Sequence, residues 1–283
     1  MPELNSYIGF IGAGNMAEAI INGLLQSGVS RPEHLVASDV STSRCTYMAE
    51  RYGIQIAEDN VAIFNRCEVI VLAVKPQHMN EVLEGIAKDS NYAVMKRKIV
   101  ISIAAGVPLQ RLERYLYAPI DEQVRSQLPI VRVMPNTPAL VRAGMAGMAG
   151  NRYAKKEDLK TVRTVLEAIG KVIEFDETSL DAVTALSGSG PAYIFYFVES
   201  LVTSGKSLGL TEPDSLILTL ETIKGAVKLM EDTGESADLL RKKVTSPGGT
   251  TEAAFKVLEG NRVKEIIVEA LQAAANRSVE LSK

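Results

Sequence analysis

The run Gly12-Ala13-Gly14-Asn15-Met16-Ala17 constrains the fold of this chain more than any other segment. It follows Tyr7-Ile8-Gly9-Phe10-Ile11, a short apolar stretch that reads as a buried strand. It leads into Met16, Ala17, Ile20, Ile21, Leu24 and Leu25, whose spacing gives a helix with one apolar face, and Gly28 is a fitting stop. Gly12 permits a tight turn, Gly14 removes a side chain where a pyrophosphate must approach, and Ala17 lets helix pack on strand. The helix start supplies free N–H groups and the positive end of a dipole. In this context the loop reads as a dinucleotide site, with Gly12, Ala13, Gly14, Asn15 and Met16 as contact candidates. A glycine turn used only for packing is the alternative.

Further strands are expected at Leu35–Ser38, Val69–Val74, Ile99–Ile103 and Ile130–Met134. Several are apolar on both faces, as strands of a helix-covered parallel sheet must be. Helical stretches such as Arg44–Tyr52 and Met79–Lys88 separate most of them. A last pair of short strands is expected near Gly144–Ala149 and Lys171–Phe175, flanking a helix with Leu159, Val162, Leu166 and Ile169 inward. Beyond Phe175 only helical periodicity remains, as in Leu216, Leu220, Ile223, Val227 and Met230, and in Val263, Ile266, Ile267, Ala270, Leu271 and Ala274. The fold class is therefore α/β: a Rossmann-like doubly wound parallel sheet over residues 1–175, then an all-helical domain over residues 176–283. A length of 283 residues suits two domains. Ala192–Leu201 is apolar nearly all round, so a helix there needs cover on every side, and a homodimer interface is expected.

Composition excludes several classes. Net charge is −3 with no basic block, and Trp is absent, which argues against nucleic acid as a partner. No apolar run approaches the ~20 residues of a membrane helix, and the start has no secretory pattern, the first basic residue being Arg31. Two cysteines, Cys45 and Cys67, and two histidines, His34 and His78, make no disulfide framework and no metal-ligand pattern. The expectation is metal-free chemistry in the cytoplasm.

Three segments at strand ends bear on the cofactor. The second strand ends Ser38-Asp39; an acid there accepts from a ribose 2′-OH and favours NADH, or caps the next helix. Ser38, Ser41, Ser43 and Arg44 in the same turn suit a 2′-phosphate instead. Ala73, Val74, Lys75 and Pro76 close the third strand at the edge where ligands bind, and Ala105 lies in a small-residue turn that a flat nicotinamide can lie against. Asn136, between two prolines, either orients a ligand or satisfies its own backbone.

Near the end, Ser246-Pro247-Gly248-Gly249-Thr250-Thr251 opens a helix. Exposed glycine N–H groups form an anion nest, and Ser246, Thr250 and Thr251 add hydroxyls, a fit for a carboxylate; plain helix capping is the alternative. Ser187-Gly188-Ser189-Gly190-Pro191 is a similar segment, read as close packing with a supporting role.

Together with Ile8–Met16, Ala73–Pro76, Ala104–Val107 and Met134–Pro138, the segments Leu186–Tyr193 and Ser246–Thr251 resemble those of the pyrroline-5-carboxylate reductase family over nearly the whole chain. The resemblance implies NAD(P)H-dependent reduction of 1-pyrroline-5-carboxylate to L-proline. It implies a homodimer or a ring of dimers, and a preference for NADPH, with Asp39 leaving NADH open. It places Asn60 near the adenine ribose and Glu177 at the substrate. It sets Gly248, Gly249, Thr250 and Ser246 on the substrate carboxylate and Thr251 at the imine nitrogen as the catalytic residue. Three readings compete: a reductase of a related cyclic imino acid, a β-hydroxyacid dehydrogenase, and a non-catalytic NAD(P)-binding protein. The dehydrogenase needs a Gly-x-x-x-Lys-x-x-Asn helix that is not found.

Overall fold

The computed structural model describes residues Glu3 to Ser282, which fall into two compact units: Met1–Ser189 with Ala274–Lys283, and Gly190–Ala273. The first holds an eight-stranded sheet in the order β3-β2-β1-β4-β5-β6-β7-β8. Its elements are β1 (Ile8–Ile11), α1 (Asn15–Gln26), β2 (Leu35–Ser38), α2 (Thr42–Tyr52), β3 (Gln55–Ile56), α3 (Asn60–Arg66), β4 (Val69–Leu72) and α4 (Met79–Lys88). They continue with β5 (Ile99–Ser102), α5 (Leu109–Leu116), α6 (Glu122–Arg125), β6 (Ile130–Met134), β7 (Gly144–Gly150), α7 (Lys156–Glu167), β8 (Gly170–Glu174) and α8 (Leu180–Val183). β1 through β6 run parallel; β7 is antiparallel to β6, and β8 returns parallel to β7.

The apolar strands explain the layers. Side chains alternate across a strand, so Ile8 and Phe10 join one buried cluster with Ile20, Leu24, Val71 and Ile101. Ile11, Ile70, Leu72 and Val100 point into the other, with Ile63, Phe64 and Leu112. Each cluster is the packing of one helix layer on one sheet face, which is why the strands read as apolar on both sides.

The expected boundary after Phe175 lies elsewhere: the first unit continues to Ser189 and takes back Ala274–Lys283. Leu180 and Val183 of α8 pack with Ala149, Met134 and Phe175, which ties the segment after β8 to the sheet. The end of the chain is tied there by the Ser278 hydroxyl, which donates to Asp181 Oδ1 at 2.6 Å.

One ion pair braces the region before β5. Arg97 Nε and Nη2 donate to Asp158 Oδ1 and Oδ2 at 2.9 and 2.5 Å, and Lys155 N–H donates to Oδ2 at 2.7 Å. Burial alone would push the Asp158 carboxyl up; these hydrogen bonds, first from Arg97 and then from Lys155, outweigh it and hold the group below its ordinary value. Folding therefore favours the ionised form. Its stabilisation is full above the unfolded pKa near ~4 and disappears as pH falls through the lower folded value. We expect Asp158→Asn to cost about 2–3 kcal/mol at neutral pH, with the gap between variant and parent narrowing in acid, as read by urea unfolding at pH 7 and pH 3.

The second unit is helical, with α9 (Gly190–Ser207), α10 (Glu212–Thr233), α11 (Ala237–Lys243), α12 (Thr250–Gly260) and most of α13 (Val263–Leu281). No strand occurs after β8 among the described residues. None of their helices is long and apolar enough to cross a membrane. α9 and α10 pack side by side, close enough that a Cβ at Gly205 would lie 2.4 Å from Ser215 Oγ. Yet Ile194, Phe195, Tyr196, Phe197 and Leu201 of α9 are exposed, as are Leu216, Ile217, Leu218 and Leu220 of α10. So much apolar surface on one helical unit marks an association face.

Candidate active site

The expected nucleotide site lies at the carboxyl ends of β1, β2 and β4. β1 lies between β2 and β4, so the chain's crossovers leave in opposite directions here, the topological switch where such sheets bind ligands. Gly12 turns the chain with φ +94°, and a Cβ on it would sit 2.9 Å from the Ala73 carbonyl carbon and oxygen. The glycine loop and the Ala73-Val74-Lys75-Pro76 segment are thereby brought side by side, Ala73 and Val74 half-buried and Lys75 and Pro76 exposed. Gly14 caps α1 with no side-chain partner, and a Cβ placed there meets nothing within 4 Å. Open space over the unpaired N–H groups of a first helical turn, at Asn15 and Met16, is what a pyrophosphate requires. Ala105 is exposed in the turn after β5.

Ala13 departs from its expected role. It is fully buried, its N–H donates to Asp39 Oδ2 at 2.8 Å, and its carbonyl accepts from Arg44 Nε at 2.5 Å. It braces the loop. Asp39 caps no helix; Ser41 does, accepting from Arg44 N–H. Asp39 instead divides its carboxylate between Ala13 N–H and Ser41 N–H, the latter at 2.9 Å. Arg44 is spent likewise, paired with Glu18. Burial would raise the Glu18 carboxyl, but hydrogen bonds from Arg44, Tyr52 and Tyr47 hold it below its ordinary value. Ser38 and Asn60 meet, the hydroxyl donating to Asn60 Oδ1 at 2.7 Å. The Ser41 and Ser43 hydroxyls stand together at 3.0 Å on the exposed turn that opens α2.

Glu177 lies in the same unit. Its Oε1 accepts from Leu109 N–H at 2.7 Å and from Arg132 Nη1 at 3.3 Å. Arg132, 4% exposed on β6, also approaches Asp181 at 3.6 Å. Asn136 turns out to be structural. Its Oδ1 accepts from Met145 N–H at 2.9 Å, and its Nδ2 reaches the Ser187 carbonyl and hydroxyl at 3.3 Å. Gly188 allows close packing, since a Cβ there would lie 2.3 Å from Met134 Cε.

The segment expected to form an anion nest, Ser246–Thr251, lies in the second unit between α11 and α12. Gly248 has φ +74°, and the N-cap of α12 is Gly249, which offers no side-chain acceptor. Gly249 N–H donates to the Ser246 carbonyl at 3.0 Å, and Gly248 N–H donates to Glu252 Oε2 at 3.1 Å.

Three features were not legible in the sequence: the Asp39 brace, the Arg44–Glu18 pair, and Arg132 with its two acids. Arg132 alone leaves a signal, a charge inside an apolar strand.

A glycine loop at the switch point of a Rossmann-like sheet, followed in the chain by a helical unit, is the architecture of a dinucleotide-dependent oxidoreductase. Residues 7–106 match a family model described as NADP oxidoreductase coenzyme F420-dependent, and residues 177–281 one described as pyrroline-5-carboxylate reductase dimerisation. The chain is 39% identical over 276 residues to the pyrroline-5-carboxylate reductase of Synechocystis, covering 98% of each. It is similar to the structure of a pyrroline-5-carboxylate reductase from Coxiella burnetii, with TM-score 0.87 and 38% identity over 99% of this chain and 100% of that one. It is similar also to that of Plasmodium falciparum pyrroline carboxylate reductase with NADP bound, with TM-score 0.86 and 30% identity over 100% of both. The chain belongs to the pyrroline-5-carboxylate reductase family.

Proposed function

We propose that this chain reduces 1-pyrroline-5-carboxylate to L-proline with NADPH, as a cytoplasmic homodimer or ring of dimers. The observation that carries the substrate reading is the nest before α12, whose Gly248 N–H already holds a carboxylate oxygen, that of Glu252. A substrate carboxylate takes such a place by displacing the Glu252 side chain. Ser246, Gly249 and Thr250 complete the grip; Glu177, in the first unit, is the acid that the family resemblance assigns to the substrate. Holding the ring in one orientation removes freedom that would otherwise have to be lost in the transition state, an effect worth several kcal/mol. Thr251 hydrogen-bonds the imine nitrogen. That nitrogen gains a proton either delivered from water through Thr251 or already carried by the bound substrate, since a threonine hydroxyl is a poor acid by itself.

The residues of the first unit fit the cofactor. Open space over Gly14 and the α1 N–H groups suit the pyrophosphate, and Ser38 with Asn60 suits the adenine ribose. When bound, the cofactor supplies the hydride that reduces the C=N bond. Asp39 is engaged in bracing the loop, and the paired Ser41 and Ser43 hydroxyls beside the α2 N-terminus favour a 2′-phosphate. Self-association is supported by the exposed apolar faces of α9 and α10, and the reducing compartment by two free, buried thiols, Cys45 and Cys67.

The test is loss of reduced-cofactor absorbance with 1-pyrroline-5-carboxylate, using NADPH and then NADH. Proline should form, faster with NADPH. Ser41→Ala with Ser43→Ala should move the ratio of the two kcat/KM values about tenfold toward NADH, a ~1.4 kcal/mol change. Cofactor binding without turnover of any cyclic imine would sink the proposal.

A further inference from the structure

Along α5 and α6 of the first unit runs a groove of about 510 Å3 in which the site above has no part. Ligand pockets run from about 300 to 1,000 Å3, so it has room for a small metabolite. Its walls carry four arginines, Arg111, Arg114, Arg125 and Arg152, and one acid, Glu113. That is a strong local excess in a chain of net charge −3. The acid is already engaged, with Glu113 Oε1 accepting from Asn151 Nδ2 at 2.7 Å. Glu122, beside the groove, meets Arg125 at 2.7 Å and Arg152 at 3.4 Å, but all three are solvent-screened to some degree and such pairs contribute little.

Two of the four guanidiniums form no ion pair among the described residues. Arg111 reaches only the Ser282 carbonyl, at 3.4 Å, and Arg114 lies over the Tyr115 ring at 5.4 Å. Neither has a carboxylate partner among the described residues. Arg125 Nε is buried and has no hydrogen-bond partner. A buried donor in that state is costly and calls for an acceptor. Guanidinium forks match the oxygens of phosphate and make paired hydrogen bonds to them.

The groove runs between the two edges of the sheet, from Pro108, just after the carboxyl end of β5, to Arg152. Asn151, next to Arg152, donates its N–H to the Ile130 carbonyl, and Ile130 begins β6. That end of the groove lies at the amino edge of the sheet, whereas Gly12–Met16 and Ala73–Pro76 leave its carboxyl edge.

We propose that this groove is a second anion site, one that takes a phosphate-bearing small molecule with at least two charged oxygens. The test uses the full-length protein saturated with NADPH, so that the glycine loop is filled, titrated calorimetrically with inorganic pyrophosphate and, in parallel, with malonate. The expected result is saturable pyrophosphate binding that is tighter than malonate binding. It should weaken at least tenfold in Arg111→Gln with Arg125→Gln, while NADPH affinity, kcat and oligomer mass stay as in the parent. Arg114→Gln, on the exposed side of α5, gives a second variant that does not depend on the buried Nε, and it should weaken binding too. No pyrophosphate binding in the NADPH-saturated protein overturns the proposal. So does equal binding by both variants, which would put the anion at the 246–251 nest. Tighter malonate binding refutes the phosphate class, and a changed oligomer mass in the variants makes the groove a subunit contact instead.

Discussion

Gly14→Val is expected to raise the Kd for NADPH about a hundredfold while leaving the unfolding temperature of the apoprotein unchanged. A Cβ at this position meets no protein atom within 4 Å, and the backbone is extended, at φ −68° and ψ −176°, where valine is at ease. The side chain therefore meets no clash in the free protein, and we expect it to fill part of the open space beside the α1 N-terminus. A hundredfold loss corresponds to ~2.7 kcal/mol, about one well-made charge-assisted contact to the pyrophosphate. Gly12→Val supplies the contrast. Its Cβ would lie 2.9 Å from the Ala73 backbone at φ +94°, so it should lower both affinity and unfolding temperature. Calorimetric titration with NADPH and thermal melts of both variants separate the two roles. Parent-like NADPH binding by Gly14→Val would remove the loop from the cofactor site.

The second large effect is on turnover. Thr251→Val keeps the shape of the side chain and removes its hydroxyl. We expect kcat/KM for 1-pyrroline-5-carboxylate to fall between about tenfold and a hundredfold, the ~1.4–2.7 kcal/mol of a hydrogen bond to a group gaining charge. Thr251→Ser should restore most of it. NADPH affinity should not move, because Thr251 lies at the α12 start in the second unit and the glycine loop lies in the first. Wild-type kcat/KM in Thr251→Val would take the hydroxyl out of the chemistry.

The α/β half of the chain was legible because its strands are buried on both faces and its helices on one, so burial wrote two distinct periods into the residues. Met79–Lys88 appears with the expected ends, and the helical character after β8 holds. β3 was not legible, since Gln55–Ile56 is too short to show alternation and exists by pairing with Val36 and Ala37. The unit boundary was misplaced for a related reason. The segment after Phe175 has helical texture, but texture does not say what a helix packs on, and Leu180 and Val183 pack on the sheet unit. The glycine loop and the nest announced themselves through residue types that backbone geometry demands. Asp39 did not. An acid at the end of β2 has several possible partners, and only the folded chain shows that Ala13 and Ser41 take both of its oxygens.

A ribosome delivers this protein from its first residue onward, yet the sheet unit closes only with Ala274–Lys283. Asp181 waits for the Ser278 hydroxyl, and the turn at Gly106 waits for Leu281, which packs against it. All of Gly190–Ala273 must be synthesised before the nucleotide-binding unit is finished. Nascent chains stalled in α13 therefore carry an incomplete first unit, however long ago its strands emerged. By the same logic, an affinity tag or reporter fused after the last helix is attached to the nucleotide-binding unit rather than to the helical one that precedes it in the chain.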